Sequence, residues 1–236
     1  ALDYLAFAVG GDVRKALNTL ELASTTGKLV DGKIVIDKPL IAECLEQKVM
    51  SLDENQYYDM LSAFCKSIRG SDADSALFYA FRMIECGVDP LIIFRRLIAH
   101  TSEDIGMANS NAMVVAVSAL TAYQNMGAPE GLIPLSHAII YACESEKSNS
   151  VILAMQMAQQ DAKNLKTVTI PNALKNHPST NDDGTGSYLY PHNFGGYVYQ
   201  QYMPKELVGK IYYTPKNNGA EKGMVRKKVF KPNSKN

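Results

Sequence analysis

The chain has 236 residues and a mass of 25.9 kDa, and its 24 Lys plus Arg balance 24 Asp plus Glu to a formal net charge of zero. With 46% apolar and 20% charged residues it has the composition of a globular protein with a sizeable core. No apolar run approaches the roughly 18–20 residues that a bilayer-crossing helix needs, which excludes a membrane protein built on such helices.

The first residues, ALDYLAFAVGGD, include Asp3 and no basic leader, so they do not read as a signal peptide. They begin in mid-pattern, as expected of a piece of a longer chain. Leu2, Leu5, Ala6 and Val9 share a helical face. Gly10-Gly11 breaks that pattern, Asp12 stands at an N-cap position, and Val13, Ala16, Leu17 and Leu20 restart it. The Asp31-Gly32 pair between two short β-prone runs predicts a small hairpin. Asp37 with Pro39 opens a short helix that runs to about Gln47.

From Asp53 to Lys163 the pattern is helical almost throughout. Tyr57, Leu61, Phe64 and Ile68 form a stripe that ends at Arg69-Gly70, and Ser71 or Asp72 caps the next helix, in which Leu77, Ala80, Phe81 and Ile84 recur until Gly87. Asp89-Pro90 is an N-cap followed by proline at the first helical position, and Leu91, Phe94, Leu97 and Ile98 follow up to a stop near Gly106. Asn109 opens a helix with Ala112, Val115, Ala116, Ala119 and Tyr123 inward. Pro129 and Pro134 bracket the entry to one with Ile139, Ile140 and Cys143. Ser148 caps the last, with Val151, Ala154, Met155 and Ala158. This agreement of pattern and punctuation predicts an all-α bundle with antiparallel neighbours.

Beyond Leu165, Pro171, Pro178, Pro191, Pro204 and Pro215 interrupt the chain and Gly184, Gly186, Gly195 and Gly196 add flexible joints, yet 188–213 holds seven of the thirteen tyrosines. Disordered segments are poor in aromatics, so 165–214 is expected to be an irregular strap packed on the bundle, with 175–187 as its mobile loop. Residues 215–236 carry seven basic residues against Glu221 alone, a net +6, which leaves −6 for the remainder. Such a tail reads first as solvated chain and second as a phosphate attractor, with Arg226, Lys227 and Lys228 as its densest run.

Several chemistries are missing from the sequence. There is no GxxxxGK[ST] loop to cradle a triphosphate, and the four histidines show no metal-ligand spacing, so neither a metal nor an autonomous active site is expected. The four cysteines lie in apolar contexts without a CxxC pair, which favours buried free thiols over disulfides or zinc ligands.

The segment GGDVRKALNTLELA (10–23) resembles the sensor-2 helix of AAA+ ATPases. RGSDADSALFYAFRMIECGVDPLIIFRRLIAHTSEDIGMANSNA (69–112) resembles one family among them, the RarA/MgsA family, to which the Werner-helicase-interacting protein is related. The likeness continues through MGAPEGLIPLSHAIIYACESEKSNSV, YLYPHNFGGYVYQQYMPKEL and YYTP, so it covers nearly the whole chain. Departures are local and bear on helix caps: Ala73 replaces a family proline, and Asn109-Ser110 replace Asp-Pro.

The resemblance implies a clamp-loader-like architecture. Residues 1–36 would end an AAA+ lid, 37–164 would form a helical oligomerisation domain, 165–214 the strap and 215–236 a flexible tail. It implies that Arg14, supported by Asp12, senses nucleotide, and that the whole protein is a DNA-dependent ATPase of stalled replication forks using ATP and Mg. None of that cofactor would be bound by this chain, which would have no hydrolytic site of its own. Implied partners are further copies in a homotetramer, single-stranded or forked DNA, and single-strand-binding protein; the implied setting is cytoplasmic and nucleoid-associated, with no membrane. Arg69, Arg82, Arg95 and Arg96 are candidates for DNA or subunit contacts, against a plainer reading as helix-surface pairs with Asp72, Asp74, Glu85 or Asp89. Met and aromatic stripes read as core and subunit interface. Two other readings stand beside this one: a single-stranded-DNA adaptor that grips through tail and strap, and a free-standing helical enzyme.

Overall fold

A computed structural model of the chain describes residues 1–9, 12–30, 32–46, 52–179 and 184–226. It is all-α apart from one two-stranded hairpin, and it divides into two compact units: residues 1–57 with 82–88, and residues 58–81 with 89–236. No helix among the described residues is long and apolar enough to cross a membrane.

In the first unit α1 (Leu2–Val9), α2 (Val13–Thr26) and α3 (Lys38–Glu46) pack around Leu5, Ala23, Ile41 and Cys44, with Ala16, Leu20 and Leu40 against them. Asp12 caps α2 as expected, its side chain accepting the Lys15 N–H at 3.0 Å. Asp37 does the same for Leu40 at 2.9 Å. The inward face of α2 is not the one expected. Ala16, Thr19, Leu20 and Ala23 turn in, while Val13 and Leu17 stay exposed. Thr19 is tolerated inside because its hydroxyl donates to the Lys15 carbonyl one turn back, at 2.8 Å. The hairpin pairs β1 (Leu29–Val30) with β2 (Lys33–Ile34) antiparallel, Leu29 opposite Ile34. The expected break at Gly10-Gly11, Asp31 of the turn and the last residue of the α3 expectation, Gln47, lie outside the described residues.

Helix α4 (Glu54–Arg69) opens with a reciprocal cap: Asp53 accepts the Gln56 N–H at 2.7 Å and Gln56 accepts the Asp53 N–H at 3.3 Å. It buries Leu61, Phe64 and Ile68, three of the four stripe residues. In α5 (Ala73–Glu85) the buried face is Ala76, Ala80 and Met83, one residue off the expected one, so Leu77, Phe81 and Ile84 are only half-buried. Asp72, not Ser71, caps it through the Ser75 N–H at 2.8 Å, and the loss of the family proline at Ala73 leaves that cap intact.

The second unit is built on α6 (Pro90–His100), α7 (Asn111–Met126), α8 (Leu132–Glu144) and α9 (Ser150–Asn164). Helices α7 and α8 pack together most extensively, and α6 lies against both. Ile93, Phe94 and Leu97 of α6, Ala112, Ala116 and Ala119 of α7, and Leu135, Ala138, Ile139, Ala142 and Cys143 of α8 are buried. The three alanines let α7 approach closely, and the rings of Phe94 and Tyr123 meet at 5.3 Å. Asn109 does not cap α7; its amide crosses to the Ser145 hydroxyl of the α8 terminus at 3.0 Å. Helix α9 differs from the rest: only Ser150 is buried, and Val151, Leu153, Met155 and Met157 face solvent. Residues 165–226, where described, contain short 3-10 turns and no longer element.

Candidate functional site at the helix α6 terminus

Helix α6 reaches the stop expected near Gly106, but not in regular α geometry: after His100 the chain makes one wide turn, a π-helix over Thr101–Ile105, with Gly106 at its end. Gly106 sits at φ +50°, and a Cβ there would lie 3.1 Å from both the Ser148 carbonyl oxygen and the Val151 side chain. Only glycine meets both demands without strain. The wide turn swings Asp104 inward, where it is buried.

Asp104 is the hub. Arg69 Nε donates to its Oδ1 at 2.7 Å, and His100 Nδ1 donates to its Oδ2 at 2.6 Å. A terminal nitrogen of Arg69 also reaches Glu103 at 3.1 Å. Burial opposes charge on Asp104, yet His100 and Arg69 outweigh it and hold the carboxyl below the ordinary carboxylate range. The hydrogen bond to Asp104, helped by the Cys65 sulfur, lifts His100 from 6.5 to about 9, so the imidazole is charged at neutral pH. The ligating atoms of His100, Glu103 and Asp104 fall within 4.8 Å of one another, a spacing that a cation could use. Here Arg69 and His100 themselves supply the positive charge.

A second buried carboxylate lies close by in the fold. The Asp104 carbonyl accepts the Ser148 N–H at 2.7 Å, and the Ser148 hydroxyl donates to Glu221. Glu221 is 1% exposed and also accepts from the Ser150 hydroxyl, the Tyr213 hydroxyl at 2.8 Å and the Lys216 N–H at 3.0 Å. Burial pushes its carboxyl up, but these donors together hold it below the usual range. Gly219, at φ +52°, lies so near the Ala108 carbonyl that a Cβ would come within 2.4 Å of the oxygen. Asn218 Nδ2 donates to the Lys147 carbonyl at 2.9 Å. The Lys147 ammonium in turn closes the α8 terminus through the carbonyls of Ala142, Cys143 and Ser145 at 2.6–3.0 Å. The tail expected over 215–236 thus begins with residues docked through Lys216, Asn218, Gly219 and Glu221, continuous with Tyr213 of the strap, so that 213–224 forms one docked segment.

The candidate residues are placed as follows. Arg14 is exposed in the first turn of α2 beside its cap Asp12, and it makes no ion pair among the described residues. Arg69 pairs with Glu103 and Asp104, not with the nearby acids expected from the sequence. Arg82 is half-buried in α5; Arg95 and Arg96 are exposed on α6 without a salt bridge among the described residues. Arg226 lies with its guanidinium 5.7 Å from the Tyr213 ring, while Lys227 and Lys228 lie outside the described residues. The buried roles of Asp104 and Glu221 escaped the sequence reading.

Comparison with known proteins agrees with the local geometry. The family model described as MgsA AAA+ ATPase C terminal matches residues 70–230, and that described as AAA C-terminal domain matches residues 1–69. The replication-associated recombination protein A of Bacillus subtilis is 45% identical over 226 residues, covering 93% of this chain and 53% of that relative. Its Escherichia coli K12 counterpart is 36% identical over 233 residues, covering 95% and 52%. A Dictyostelium discoideum protein named ATPase WRNIP1 is 30% identical over 238 residues, covering 90% and 27%. The chain spans about half the length of the bacterial relatives it matches. With its RGSD arginine, its wide SEDIG turn and a C-terminal-domain match over 70–230, the chain belongs to the MgsA family of AAA+ ATPases, the family of replication-associated recombination protein A.

Proposed function

We propose that this chain is the lid terminus and homotetramerisation module of a DNA-dependent AAA+ ATPase that acts in replication and recombination at stalled forks. The observation that supports assembly is the uncovered apolar surface of the second unit. Met113, Val114 and Val117 on α7 and Val151, Leu153, Met155 and Met157 on α9 are exposed, with Val114 at 56% and Met155 at 45%. Val151 and Met155, and likewise Leu153 and Met157, stand one helical turn apart, the spacing of a helix that packs on another helix. Exposed apolar rows of this kind mark interaction surfaces, and a second copy of the chain is their simplest complement.

In this reading Arg14 projects toward nucleotide held by a domain that precedes the lid. A guanidinium in the first turn of a capped helix suits an anion, because backbone N–H groups and the helix dipole point the same way. ATP and Mg belong to that domain, while DNA and single-strand-binding protein meet the assembled protein in the cytoplasm at the nucleoid. The engine is regulated, not supplied, by this module.

Sedimentation velocity at micromolar concentration tests the assignment. The expected species has about four times the 25.9 kDa mass of the chain. A monomer sinks the proposal. In the full-length protein, Arg14→Ala is expected to lower ATP turnover while leaving assembly intact.

A further inference from the structure

The end of α4 and the docked segment 213–224 share one support, the wide turn at Thr101–Ile105, which neither assembly nor nucleotide sensing uses. Asp104 of that turn is held from two directions. Its carboxylate accepts from Arg69 at 2.7 Å and from His100 at 2.6 Å, while its peptide carbonyl accepts the Ser148 N–H at 2.7 Å. Ser148 passes the contact on, its hydroxyl donating to Glu221 beside that of Ser150. A polar path thus runs from Arg69 through one aspartate and one serine to the C-terminal segment.

A second path runs through the main chain and has no slack. Gly106 ends the turn against the Ser148 carbonyl and Val151, too close for any side chain. Two residues on, the Ala108 carbonyl is the surface on which Gly219 rests, again with no room for a Cβ. Contacts this tight do not stretch; they switch between arrangements. A turn that loses its grip on Asp104 therefore disturbs both seats of the segment, Ser148 and Ala108, together.

The two ends of this path differ in access. The Arg69 side chain is 50% exposed, whereas Ser148, Ser150 and Glu221 are at most 2% exposed. An influence from outside can reach the arginine but not the carboxylate. We propose that the wide turn is the joint of a latch: the Arg69–Asp104 pair holds residues 213–224 docked, and withdrawal of Arg69 from Asp104 loosens them. The docked and loosened segment are its two states, and linkage requires each end to bias the other.

Native-state amide exchange of the intact chain tests the latch, whatever its state of assembly. The reporters are the Lys222 and Met224 amides of the segment, which donate to the Gly219 and Glu221 carbonyls, and the Ser148 amide at the turn. Arg69→Met is expected to speed exchange of all three about fivefold. Arg69→Lys, which keeps the charge but not the two-armed grip, should speed it less, and it carries the test if the methionine variant does not fold. Glu221→Ala should speed the segment and, reciprocally, the Ser148 amide. In the double variant the accelerations should not multiply, because a released segment has nothing further to lose. Leu61→Ala, on the buried face of α4, lowers global stability without touching the path and should leave the three rates nearly unchanged. Retained α6–α8 protection shows that each variant is folded. Segment exchange unaltered by loss of Arg69, or accelerations that multiply in the double variant, overturns the latch. Equal acceleration by Leu61→Ala also overturns it, since the segment would then follow global unfolding.

Discussion

Asp104 shows what one buried charge can organise. It holds an arginine from α4 and a histidine from α6, and its own peptide carbonyl receives Ser148 before α9. Removing it leaves His100 buried without its partner. Arg69, half exposed, can turn to water, so its loss is discounted. Asp104→Ala is expected to lower stability by about 2–4 kcal/mol, read from urea unfolding. The same pair sets a pH dependence. The folded His100 pKa is raised to about 9 from 6.5, so its contribution is complete below about 6.5 and is lost as pH rises through 9. Asp104 is shifted the other way, so its contribution is lost only as pH falls below the ordinary carboxylate range. Stability should therefore decline between pH 6.5 and 9, and His100→Gln should flatten that slope. An unaltered slope in the variant would assign the decline to another group.

At the scale of elements, the punctuation was legible except at Asn109, whose amide is drawn away to Ser145, and the packing was not. Asp12, Asp37, Asp53, Asp72 and Asp89 cap where their positions in the sequence require, because a cap is a contact within three residues. The faces of α2 and α5 were misjudged by about a residue. In both, small or hydrogen-bonded side chains such as Ala76 and Thr19 occupy the inside, and larger apolar ones such as Leu17 stay out. Hydrophobicity alone ranks those residues the wrong way round. The Arg69–Asp104 and Ser148–Glu221 contacts span 35 and 73 residues, and no local pattern carries them. Glu221 was further disguised by its basic neighbours, which make an acid look like surface charge.

The docked segment offers two element-scale predictions. Glu221→Ala leaves two serine hydroxyls, the Tyr213 hydroxyl and the Lys216 N–H without their acceptor. It should release residues 213–224, seen as accelerated amide exchange there with α6–α8 protection kept. Gly219→Ala should do the same by collision with Ala108, with a loss of about 1–3 kcal/mol that the backbone strain at positive φ and the steric contact share. If either variant exchanged like the parent, the segment would not depend on these contacts.

For the molecule as a whole, fold class and family could be read in the sequence because cap, stripe and motif agree over most of the chain. How copies meet could not, because an apolar residue in a helix reads the same whether it faces a core or a neighbour. The structure separates the two by exposure. Val117→Asp and Met155→Lys place charge on the exposed stripes of α7 and α9 without touching buried residues. Each is expected to dissociate the assembly in sedimentation while helix content is preserved. Assembly untouched by both changes would move the interface elsewhere.

The wide turn at 101–105 also makes chain length itself a structural variable. It contains one residue more than a regular turn of helix requires. Deleting Ser102 would let the helix pass through this point as an ordinary α turn, with four residues filling the circuit that five now fill. His100 and Asp104 would then stand three positions apart instead of four, and the seat of Asp104 between Arg69 and His100 would have to be rebuilt, although every group that forms it would still be present. At this place a missing residue is more disruptive than a wrong one, and families of sequences should tolerate exchange here far better than they tolerate gaps.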